Sequence, residues 1–92
     1  MIGRIVSLQG QPSSIAQAHQ AFASQGAGIL KSLPGLEALH VFFRPTEGRA
    51  AIVSVWKDAT TAMSAVQAMS AMQQKMIGLG LTFKLEDYDV VV

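Results

Sequence analysis

Apolar and polar residues alternate along Ile2–Gln9, where Ile2, Val6 and Leu8 share one side with Arg4, and Gly3, Ile5, Ser7 and Gln9 take the other. A period of two predicts a strand of about seven residues. Gly10-Gln11-Pro12-Ser13-Ser14 interrupts it, and a serine there can cap a following helix. From Ile15 the spacing lengthens. Ile15, Ala18, His19, Phe22, Ile29, Leu30 and Leu33 form one stripe, with Gln17, Gln20 and Lys31 off it, which predicts a helix lying on a sheet. Gly26 and Gly28 inside that helix each cost about 1 kcal/mol relative to alanine, so a bend or break is expected there. Pro34-Gly35 ends it.

Two β-rich runs follow, Leu36–Arg44 and Arg49–Trp56, separated by Pro45-Thr46-Glu47-Gly48. A connection that short predicts an antiparallel hairpin. With Arg44 opposite Arg49, Leu39, Val41, Phe43, Ala50, Ile52, Ser54 and Trp56 share one face, and His40, Phe42, Ala51, Val53 and Val55 share the other. A slip of one residue would exchange the two sets. Both faces are apolar. Helices can cover one of them, and an apolar patch of that size is not left open on soluble monomers, so a second copy is expected to cover the other, sheet to sheet.

Asp58 is placed to cap a second helix, whose stripe runs through Ala62, Met63, Val66, Met69, Gln73 and Met76. Gly78-Leu79-Gly80 stops it, and residues 82–92 supply a fourth strand interrupted by Glu86-Asp87-Tyr88-Asp89. Alternation separates Glu86 from Asp87 and Asp89, which reads as a solvated edge. The order β-α-β-β-α-β is that of the ferredoxin-like α+β fold with a four-stranded antiparallel sheet, one domain over 1–92.

Composition narrows the function. Half of the residues are apolar and 14% are charged, low for a small body with much surface to keep wet, which again favours association. A net charge of +1 with no block of like charge gives no field for nucleic acid or an anionic membrane. No apolar run approaches the length of a spanning helix and no signal segment is apparent, so a cytoplasmic protein is expected. The chain has no cysteine, which excludes thiolate chemistry, and two histidines on different elements make a poor zinc site, so no metal is expected.

Leu33-Pro34-Gly35-Leu36, the aromatic-bearing strand after it, and Ile52-Val53-Ser54-Val55-Trp56-Lys57-Asp58-Ala59 leading into the second helix resemble the antibiotic biosynthesis monooxygenase-like family of dimeric α/β-barrel proteins. The resemblance implies a homodimer whose two sheets make a barrel and a pocket between sheet and helices in each subunit; some members of the family oxygenate phenolic polycyclic substrates with no cofactor, some degrade haem, and many have no established activity. Trp56 matches the pocket tryptophan of the oxygenases by position. The haem-degrading branch needs a histidine in its second helix, and residues 58–77 contain none.

Trp56 can stack on an aromatic ligand or plug the core. His19 is the candidate general base for a phenolic or enolic proton, with a hydrogen-bonded core histidine as the plainer alternative. Phe22, Phe43, Ile52, Ser54 and Val66 are the expected pocket residues. His40, on the face opposite Trp56, is assigned to structure. A non-catalytic binding or assembly module of the same fold, and a metal-free isomerase or lyase, are the competing functions.

Overall fold

A computed structural model describes residues 1–92. Strand β1 (Ile2–Gln9) leads into helix α1 (Pro12–Ala21), a π-helical turn (Phe22–Gly26) and helix α2 (Ala27–Ser32). Strands β2 (Leu36–Arg44) and β3 (Arg49–Trp56) form the hairpin. Helices α3 (Ala59–Ala68) and α4 (Ser70–Gly78) precede strand β4 (Thr82–Asp89). All neighbouring strands are antiparallel, in the order β2-β3-β1-β4. This is the expected ferredoxin-like α+β arrangement.

The hairpin has the expected register, with Arg44 opposite Arg49, Val41 opposite Ile52 and Leu39 opposite Ser54; a bulge between Leu36 and Ala38 then sets Leu36 opposite Trp56. A 3-10 turn (Pro45–Glu47) closes it, and Gly48 completes the reversal at φ 65°. A side chain at Gly48 would collide with the Gly10 carbonyl, and the Gly10 N–H donates to the Gly48 carbonyl at 2.9 Å. Only glycine satisfies both demands.

Four local expectations change. The first helix starts at Pro12 rather than Ile15, without a serine cap: proline at the first helical position loses no hydrogen bond, and Ser14 Oγ instead donates to the Leu79 carbonyl at 2.9 Å. The glycines do not break the helix. Its path continues through the π turn, where a side chain at Gly26 would lie 2.7 Å from the Phe22 ring. The second helix is divided at Met69 (φ −96°, ψ 7°). Ala62, Ala65, Met72 and Met76 face inward while Met63 is 69% exposed, so Met63 leaves the expected stripe. Finally, β4 ends at Asp89, and Val90 to Val92 lie beyond the strand, held at Val90 by a hydrogen bond to the Met1 carbonyl. Asp58 caps α3 as expected, accepting from the Thr61 N–H at 2.8 Å, and those hydrogen bonds hold its carboxyl below the usual range.

Every buried sheet residue, Arg4, Leu8, Ala50, Ile52, Ser54 and Trp56, lies on one side, under the helices. On the other side Phe42 is 57% and Tyr88 51% exposed. The core is therefore single-sided.

Candidate functional site

Register fixes the site. On the helix side, successive rows across the sheet read Leu36, Trp56, Ile2, Asp89; then Leu39, Ser54, Arg4, Asp87; then Val41, Ile52, Val6, Leu85; then Phe43, Ala50, Leu8, Phe83. Polar side chains concentrate in the second row. Arg4 Nε and Nη2 donate to the two carboxylate oxygens of Asp87 at 2.8 and 2.9 Å, and Nη1 donates to the Ala62 carbonyl on α3 at 2.7 Å. Beside them, Trp56 Nε1 donates to Ser54 Oγ at 2.9 Å. Each buried side-chain polar atom thus has a partner.

The Arg4 guanidinium holds the Asp87 carboxyl below its ordinary range, burial opposing the effect. The two ends of the pair differ: the Arg4 side chain is 6% exposed and that of Asp87 40%. Asp87 is therefore a buried cation's partner, not part of a wholly solvated acidic edge.

Between this face and the helices lies a cavity of about 60 Å³, with 15 hydrophobic residues among its 18 lining residues. Phe22, Phe43, Ile52, Ser54, Val66 and Trp56 all line it, as do Met69, Met72 and Met76. The polar lining residues are Arg4, Ser54 and Gln73. Trp56 is 0% exposed, so its ring is an inner wall rather than the rim of an opening.

His19 departs from its expected place. It sits exposed at the margin of the α1 stripe, its ring stacked on Phe43 with centroids 4.6 Å apart, and it is not a lining residue. The inward positions of α1 are Ile15, Ala18 and Ala21, and a helix offers one narrow inward stripe. His40 is exposed on the uncovered side near Phe42, with ring centroids 6.4 Å apart. Arg4 and Gln73 complete the polar lining and were not among the sequence candidates. An arginine on an apolar strand face was the available signal.

No family model matches the chain, and no curated protein matches it in sequence. Solved structures do match. SnoaB, a cofactor-independent oxygenase from Streptomyces nogalater, superposes with a TM-score of 0.75 at 12% identity, over 99% of this chain and 93% of that one. A protein from Deinococcus radiodurans, provisionally named an antibiotic biosynthesis monooxygenase, gives 0.78 at 17% identity over 100% and 94%. A protein of unknown function from Nitrosomonas europaea gives 0.80 at 14% over 99% and 89%. By fold the chain is thus similar to antibiotic biosynthesis monooxygenase-like proteins, along essentially its whole length.

Proposed function

We propose that the chain is a cofactor-independent, monooxygenase-like protein that takes a small flat apolar or phenolic molecule between sheet and helices, and that it works as a homodimer closed sheet to sheet. The observation that carries this is the apolar cavity between sheet and helices, lined in part by Trp56, in a fold shared with SnoaB. An indole face suits a flat ring, and exclusion of water strengthens any polar contact made inside. The uncovered side, with Phe42, Ile5 and Tyr88 exposed, supports the dimer.

At about 60 Å³ the cavity is smaller than the roughly 300 Å³ at the lower end of ligand pockets. Occupancy therefore requires the α3–α4 wall to move outward. Its inner surface carries Met69, Met72 and Met76, unbranched side chains that repack at low cost, and the break at Met69 supplies a place to bend. The same small volume favours a second reading, a non-catalytic module that binds a small hydrophobic molecule or serves assembly alone.

Anthrone separates the two. Its oxidation converts a CH2 group to a carbonyl: one atom of dioxygen becomes the carbonyl oxygen, the other leaves as water, and the substrate supplies all the electrons. Trp56, the only tryptophan, reports binding by its fluorescence. Saturable quenching with protein-dependent oxygen uptake is the expected result. Quenching without uptake selects the non-catalytic reading, and neither signal contradicts ligand binding altogether. His19→Ala should keep the uptake rate, because His19 reaches the cavity only through Phe43. Loss of that rate would restore His19 as the base.

A further inference from the structure

We infer that the uncovered side of the sheet carries a second site, at its hairpin end, for a small aromatic phosphate monoester. This site shares only Leu8 with the cavity beneath the helices and does not depend on what that cavity binds.

Two rows of the sheet build it. Phe42, Ala51, Ser7 and Lys84 form one, and Arg44, Arg49, Gln9 and Thr82 form the last row before the turn. The first of these is large at both ends and small in the middle, which makes a concavity. The hollow measures about 400 Å³, within the roughly 300–1,000 Å³ of ligand pockets. Three of its ten lining residues are cations and none is acidic. Arg44 and Arg49 stand directly opposite each other on paired strands, where like charges destabilise a hairpin. An anion between them replaces that repulsion with attraction.

The protein's own acids leave part of this charge unmatched. Arg44 Nε meets Glu47 at 2.8 Å and Lys84 Nζ meets Glu86 at 3.7 Å, both pairs well exposed and of small energetic weight. Neither acid lines the hollow. Arg49 has no ion-pair partner, so even with both pairs counted as neutral one positive charge remains, on a planar fork suited to two oxygens of one phosphate. A phosphate monoester carries about −1.5 to −2 charge at pH 7 and offers three strong acceptor oxygens. Lys84, too far from Glu86 for a strong bond, is placed to meet the remaining charge, with the hydroxyls of Ser7 and Thr82 and the amide of Gln9 as further donors.

The ester group has its own surface. Phe42 is 57% exposed at the border of the hollow and offers its ring to a flat one. The rest of the uncovered apolar patch, Ile5, Val53, Val55 and Tyr88, lies in the other two rows, so the site sits at the end of the proposed dimer contact and not at its centre.

Phenyl phosphate is the probe, titrated at low ionic strength and followed in nitrogen-15 spectra, with inorganic phosphate in a parallel series. Phenyl phosphate is expected to shift the backbone amides of Ser7, Arg49, Ala51 and Lys84 and to leave the Trp56 indole N–H in place. It should bind about fivefold tighter than inorganic phosphate, the ring against Phe42 making the difference. Arg49→Gln should weaken it about tenfold or more, and Arg49→Lys, which keeps the charge without the fork, by less. Arg49 is exposed, so both variants keep the fold. No shift with either anion, equal affinity for the two, or unchanged affinity in Arg49→Gln would overturn the inference. Shifts at the Trp56 indole alone would overturn it as well, by placing the probe in the covered cavity, and would leave the ligand-binding reading above standing.

Discussion

Adjacent rows of the sheet carry similar residues to opposite ends. Leu39, Ser54, Arg4 and Asp87 cross the covered side, and His40, Val53, Ile5 and Glu86 cross the uncovered side one residue away in every strand. Each row mixes apolar residues with a charge. Beneath the helices, Arg4 is drawn into a two-pronged ion pair and a third bond to Ala62, because a dry cation must satisfy its donors locally. On the uncovered side Glu86 meets Lys84 at 3.7 Å with both side chains well exposed, a pairing of little energetic weight. The alternation is the same; coverage decides whether a charge is tied down by the protein or stays solvated.

The contrast should appear first in stability. Trp56→Ala removes the largest fully buried side chain and is expected to cost about 3–5 kcal/mol, read from urea unfolding, with Phe42→Ala on the other side costing far less within a subunit. Second, Phe42→Asp should weaken self-association by about tenfold or more, equal to about 1.4 kcal/mol, in sedimentation velocity across a dilution series. Equal sedimentation of both proteins as monomers would remove the proposed dimer.

Third, the Arg4–Asp87 pair makes the covered side sensitive to acid. The Asp87 carboxyl is held below its unfolded value of about 3.9, so its contribution is complete above that pH and is lost as pH falls through the lower folded value. Melting temperature should therefore drop more steeply below about pH 4 in wild type than in Asp87→Asn. The smallest effect is expected from Asp58→Ala, which removes only the cap of α3 and should lower the melting temperature slightly without changing self-association.

Much of this architecture was legible in the sequence. The four-residue turn fixed the hairpin register, and period-two runs marked which face Trp56, Ser54 and Ile52 would share, so six of the 18 residues around the cavity could be named in advance. Non-local features were hidden. Arg4 and Asp87 are 83 residues apart and meet only because β1 takes a central place in the sheet beside β4, a pairing that no local pattern announces. His19 and Met63 failed for another reason. Each lies at the margin of a helical stripe, where a modest change of phase decides between inside and outside, and the break at Met69 is not marked by glycine or proline.

The chain's methionines offer the most direct measurement of the central claim, that the covered side of the sheet holds a ligand. Met69, Met72 and Met76 line the cavity, while Met1 and Met63 are 64% and 69% exposed. With the methionine methyl groups labelled with carbon-13, titration with anthrone should shift the three cavity resonances together and leave Met1 and Met63 in place. Shifts confined to Met1 and Met63, or none at the three cavity positions, would contradict it.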